Sequence, residues 1–247
     1  MTVIQEQTAA WQQKLQDEFD EFVVKFLPRE GIDESTVSYR ARCVLECAEC
    51  VEAADHNGRT LLHWAAIDGD IEAIKFFVSH GADVNEKCGL GNTPLHWVTC
   101  LWNDSDNCLI DFLVSVGSRV NTKNKDGHTP LHLAAFYGRL KSAELLISIG
   151  AKINAKSRSG HTPLHLAVYH VDVLQFLIDS GADINARSHN GSTPLHEAVW
   201  VSSLEAVKIL VAAGADTETE NEYDATPFEL AESNGQAEIA GFLLELS

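Results

Sequence analysis

Eleven histidines and six cysteines carry this 247-residue chain's capacity for metal binding or acid–base work. Five of the histidines, His63, His96, His132, His165 and His196, each stand three residues after a threonine. A row of imidazoles could ligate a metal or move protons. All five, however, occupy the same place in the same short motif, which assigns them one shared structural job. No Ser-His-Asp set, phosphate-binding glycine loop or His-Glu-x-x-His pattern accompanies them. Cys43, Cys47 and Cys50 lie near His56, and three thiols with one imidazole are a zinc-ligand set. Their spacing is not that of a standard zinc module, and small buried cysteines on a capping helix account for them. Cys88, Cys100 and Cys108 read as structural thiols. The expectation is a chain with no catalytic residues, metal or cofactor, and not an enzyme. A metal-binding sensor or enzyme built on Cys43, Cys47, Cys50 and His56 is the alternative.

The histidine motif is one phase of a longer period. Thr93-Pro94-Leu95-His96 recurs at Thr129–His132, Thr162–His165 and Thr193–His196, with weaker copies at Thr60–His63 and Thr226–Glu229. The threonines step by 33, 36, 33, 31 and 33 residues. Asn85, Asn121, Asn154 and Asn185 stand eight residues before a threonine, and Gly58, Gly91, Gly127, Gly160 and Gly191 stand two before. Asp224 breaks the glycine pattern in the last copy. A period near 33 specifies stacked repeats, each unable to bury its apolar face alone. Threonine is a good helix N-cap, proline fits the first helical position, and glycine supplies a left-handed C-cap. Ala143–Ile147 and Val173–Ile178 give a second helix its apolar face.

These residues resemble the ankyrin repeat over roughly residues 40–247. The resemblance implies an all-α repeat solenoid of stacked helix–turn–helix units with hairpin-like loops. The expected organisation is an N-terminal amphipathic helix and linker over 1–34 and a repeat domain over 35–247. That domain starts with a capping half-repeat over 35–55. Repeats follow at about 56–88, 89–124, 125–157, 158–188, 189–221 and 222–247. The second repeat is lengthened around Trp102–Cys108 and the fourth is two residues short after Tyr169-His170, so local distortion is expected at both turns. Within 10–27, Trp11, Leu15, Phe19, Phe22, Val23, Phe26 and Leu27 form a helical stripe that Pro28 ends. That helix is expected to cap the stack, to mediate self-association or to dock on a partner.

The resemblance also implies a concave surface lined by the loop tips and first helices. Its contact positions fall seven and eight residues after each threonine, and one, three and four before. Trp102, Phe136, Tyr137, Tyr169 and Trp200 then line one surface, and aromatics are the side chains of interface hot spots. Lys123, Lys125, Lys156, Arg158 and Arg187 recur at the loop-tip phase, with His128 and His161 beside them. The expected function is a non-catalytic protein–protein interaction module, acting as inhibitor, adaptor or host-directed effector.

Charge sharpens that expectation. Lys and Arg total 18 against 36 Asp and Glu, for a net −18. Residues 119–158 alone net +6, leaving −24 on the remainder. The partner is therefore expected to be a protein presenting acidic and apolar residues. Nucleic-acid binding through the third and fourth repeats is a further alternative, opposed by the overall acidity. No stretch approaches the length of a membrane span, and the N-terminus lacks a secretory pattern. The scattered cysteines suit a reducing, cytoplasmic setting, with nucleus or host cytosol as variants.

Overall fold

The structure, a computed structural model, describes residues 52, 54–101 and 108–246. The stripe over 10–27, Cys43, Cys47, Cys50 and Trp102 lie outside the described residues. The chain forms two compact units, Met1–Asp83 and Val84–Ser247. In the first, α1 (Leu61–Asp68) and α2 (Ile71–Ser79) pack as a helix pair over buried Leu62, Trp64, Ile74 and Phe77.

The second unit repeats that pair five times. First helices are α3 (Pro94–Leu101), α5 (Pro130–Phe136), α7 (Pro163–Leu166), α9 (Pro194–Trp200) and α11 (Pro227–Ser233). Each is followed by a second helix: α4 (Cys108–Ser115), α6 (Leu140–Ser148), α8 (Val171–Asp179), α10 (Leu204–Ala212) and α12 (Ala237–Leu244). Successive first helices pack on one another, as do α6, α8, α10 and α12. The core is therefore a row of small clusters, each shared by neighbouring pairs, as a stacked repeat requires. Leu131, Leu146, Leu164, Leu174, Leu177, Leu195 and Leu210 are fully buried in it. The short fourth repeat absorbs its deletion locally: α7 tightens into a 3-10 turn, Ala167–Tyr169, before His170 opens α8.

Among the described residues, the loops between helix pairs fold back on themselves. The amide of Asn124 donates to His128 O at 2.9 Å, that of Ser157 to His161 O at 2.8 Å, and that of Ser188 to Ser192 O at 2.9 Å. Neighbouring tips then join through their backbones. Lys125 N donates to Leu90 O, Arg158 N to Asp126 O, His189 N to Ser159 O and Glu222 N to Asn190 O, all at 2.8–3.0 Å. This approach explains the phased glycine. Gly127 has φ +78°, and a Cβ there would lie 2.5 Å from Arg158 N. Asp224 keeps the same left-handed backbone, φ 53°, in the loop before α11.

Two glycines separate backbone strain from this collision. Gly150 is equally left-handed, φ +94°, but has nothing within 4 Å of a Cβ. Gly150→Ala should cost roughly 1–2 kcal/mol, the left-handed penalty alone. Gly127→Ala should cost more than about 3 kcal/mol, because the neighbouring tip's backbone must also move. Urea unfolding of the two variants checks this, and equal losses would contradict the tip contact.

Candidate functional site

The histidine row sits where each first helix begins. His96 Nδ1 accepts from the Thr93 amide at 3.1 Å and from the Thr93 hydroxyl at 2.8 Å. Thr129 with His132, Thr162 with His165 and Thr193 with His196 repeat the arrangement within 0.1 Å. Histidine here fills the place glutamate takes in a capping box. Nδ1 is an acceptor, so the ring proton resides on Nε2. Nε2 donates to the next repeat: His96 to His128 O (3.2 Å), His132 to His161 O (3.1 Å), His165 to Ser192 O (3.1 Å) and His196 to Ala225 O (3.0 Å). In the last repeat Glu229 Oε2 accepts from both the amide and the hydroxyl of Thr226 at 2.8 and 2.9 Å.

These rings are buried, and burial holds them neutral. It pushes His96 and His165 down to about 4 and His132 to about 3, and it lowers His196 as well. Among the described residues no group of three His, Cys, Asp or Glu could hold a metal ion. Burial also pushes the Cys100 thiol up to about 12, which keeps it protonated and inert.

The asparagine phase bridges repeats too. Asn85 Nδ2 donates to Gly117 O at 3.0 Å while its Oδ1 accepts from Arg119 N at 2.8 Å. Asn121 spans Gly150 O and Lys152 N in the same way. The loop cations form a third set of links. Lys87 Nζ donates to Lys123 O (2.8 Å), Lys123 Nζ to Lys156 O (2.6 Å), Lys156 Nζ to Arg187 O (2.9 Å), and Arg187 to Glu220 O (2.7 Å). Of the five cations expected to face a partner, Lys123, Lys156 and Arg187 are thus tied to the next repeat's backbone. Lys125 and Arg158 are exposed at the tips themselves. At the opposite end of the first helices, Arg139 donates to Cys100 O and His170 to Phe136 O, closing helix C-termini across the stack.

The aromatic positions behave differently. Phe136 and Trp200 end α5 and α9, Tyr169 ends the 3-10 turn that follows α7, and the three are 41%, 66% and 46% exposed respectively. Phe136 meets Tyr169 edge-to-face at 5.6 Å between centroids, and Tyr137 at 5.1 Å. Tyr137 is half-buried, and burial pushes its phenol up to about 12. Between the aromatics and the tips, His161 Nε2 lies 3.5 Å from Glu197 Oε1. Sequence reasoning missed Leu90 and Tyr223, exposed by 56% and 74% at the tip position three before a threonine. It also missed Lys87 at the head of the cation series. Their signal was the phase itself, which had been read only for aromatic and basic residues in the middle repeats.

Helix pairs joined by closed loops and linked side by side through a buried polar row define a helical repeat protein built to present a surface. The chain belongs to the ankyrin-repeat family. A model of ankyrin repeats in three copies matches residues 98–188 and 172–247, and one of many copies matches 62–106. Such repeats are protein-interaction modules. A 61-residue stretch is 44% identical to Palmitoyltransferase ZDHHC17 of Rattus norvegicus and of Homo sapiens, covering 24% of this chain and 10% of each of those proteins. A 58-residue stretch is 45% identical to Palmitoyltransferase ZDHHC13 of Mus musculus, covering 21% of this chain and 9% of that protein. The match spans about a tenth of the length of these curated relatives. No helix of the described residues is long and apolar enough to cross a membrane.

The neutral histidine row fixes the sign of a pH effect. Below about pH 6.5 the unfolded chain binds protons that the folded rings refuse, so stability is fully present above that value. It should fall as pH drops toward 4, by roughly 1.4 kcal/mol per pH unit for each of His96, His132 and His165. Urea midpoints between pH 7 and 5.5, before carboxylates titrate, check this. A flat midpoint over that window would contradict the buried neutral rings.

Proposed function

We propose that this chain acts by gripping a protein partner through the face formed by its loop tips and first helices, and not by catalysis. Phe136, Tyr169 and Trp200 are the anchors, supported from beneath by Tyr137. Lys125 and Arg158 steer, while Lys123, Lys156 and Arg187 add positive field from heads already tied to backbone carbonyls. The observation that carries the reading is the exposure of three large aromatics at the same position, seven residues after the threonine, of three consecutive repeats. Single exposed apolar side chains are ordinary, but a phased row beside cations is the composition of an interface core and rim. The partner segment offers apolar groups with acidic neighbours, and the role is that of an inhibitor, adaptor or host-directed effector. Scattered thiols support a reducing compartment such as the cytoplasm. The likeness to two palmitoyltransferases covers repeat sequence only, and no acyl-transfer activity is proposed for this chain. The organisation into a helix and linker over 1–34 and repeats over 35–247 is part of the same proposal, as is an anchoring role for Trp102.

Trp200→Ala should leave stability within about 0.5 kcal/mol, as for an exposed side chain. Tyr137→Ala should cost roughly 1–3 kcal/mol through lost packing. Partner capture from native extract, with mass spectrometry, should then fail with a Trp200→Ala, Arg158→Glu variant whose melting is unchanged. Retention of the same partner by that variant would overturn the assignment of the face.

A further inference from the structure

One residue of the first helices departs from its row. Four residues after the motif threonines stand Trp64, Trp97, Leu133, Leu166, Glu197 and Leu230, so a carboxylate interrupts an apolar series in the fifth repeat. Glu197 is the only Asp, Glu, Lys or Arg in the sequences of α5, α7 and α9. It stands about one helical turn before Trp200. Burial, and then the charge of Glu197, raise the Tyr169 phenol, which places the carboxylate beside the preceding repeat's aromatic as well. Its side chain is 22% exposed. His161 Nε2 lies 3.5 Å from Oε1, too far for a good hydrogen bond. Among the described residues no lysine or arginine pairs with Glu197, and neither carboxylate oxygen accepts a hydrogen bond. In the free protein water satisfies it.

We infer that Glu197 is a specificity-determining residue of the proposed face and receives a basic side chain of the partner beside Tyr169 and Trp200. A segment anchored on those two rings covers Glu197 too and strips its water. A dehydrated carboxylate without a partner is costly, so an apolar or acidic residue opposite it is penalised. A cation there turns the same group into a paired charge. Arginine fits best, because its fork matches a carboxylate bidentately and its flat face stacks on aromatic rings. Lys125 and Arg158 lie on the tips of the third and fourth repeats, whereas Glu197 lies on the first helix of the fifth. The partner's charges are therefore ordered, acidic residues over those tips and one basic residue toward the fifth repeat. That order fixes its register and direction. The inference rests on the proposed acidic and apolar partner and adds the basic residue.

A display library of random peptides, selected on the full wild-type chain and counter-screened on Trp200→Ala, tests it. Enriched sequences should carry an arginine or lysine at a fixed spacing from their apolar residues. Glu197→Gln removes the charge at constant shape and should weaken a synthetic copy by roughly tenfold or more, with an unchanged melting midpoint. Exchanging the peptide's basic residue for glutamine should weaken wild-type binding equally and cost little more on Glu197→Gln. That coupling decides the case even if the variant melts lower, because a carboxylate serving only His161 and the fold gives losses that add. Peptides that need Trp200 but bind Glu197→Gln undiminished, or whose losses add, overturn the role of Glu197 and leave the proposed face standing. A selection yielding no peptide that depends on Trp200 or Glu197 overturns both.

Discussion

Each buried histidine of the motif spends its two nitrogens in opposite directions. Nδ1 accepts from the threonine that starts its own helix, and Nε2 donates to a carbonyl one repeat further on. The ring is thus a rigid spacer between a helix start and the neighbouring loop. It works only when neutral, and burial under the stacked helices is what keeps it so. The loop carbonyl it reaches is the one that closes the tip, so helix start, loop closure and repeat spacing are set by a single side chain. The asparagine, lysine and backbone links then repeat the same step on the outer side of the loops.

That arrangement separates cohesion from recognition. One backbone amide of each of four successive tips, and the carbonyls that the histidines and loop cations reach, hold repeats together. Side chains at the helix ends are not required for this and project from a fixed frame. Rigid positioning of a few aromatics lowers the ordering cost of binding, which is where affinity at such surfaces is won. The charge distribution has the same character: the positive middle repeats lie between strongly acidic segments, so the field is local to the face that carries the rings.

The repeat was legible because its signals are local. Thr-Pro-Leu-His contains an N-cap, a first-turn proline and a capping partner within four residues, and their recurrence near 33 residues specified stacking. The fold class followed, as did the protein-interaction role and the shortened turn at Tyr169-His170. The destinations of the outward-reaching groups were not legible. Nothing within one repeat says that Lys123 will meet Lys156 O, or that Asn121 will brace Gly150, because the partners lie 33 and 29 residues away. The lysines therefore read as a solvent-facing stripe until their carbonyl partners were seen. Phe136 and Tyr137 were ambiguous for a related reason: adjacent helical positions differ by 100° of rotation, and only packing decides which one is covered.

The central claim is that neutral, Nε2-protonated histidines hold neighbouring repeats in register. Long-range proton–nitrogen correlation spectra of the imidazoles at pH 7 and pH 5.5 test it directly. His96, His132, His165 and His196 should all show the Nε2–H tautomer with an unprotonated Nδ1 at pH 7, and His96, His132 and His165 should remain neutral at the lower pH. An Nδ1–H tautomer, or titration of these rings near 6.5, would contradict it.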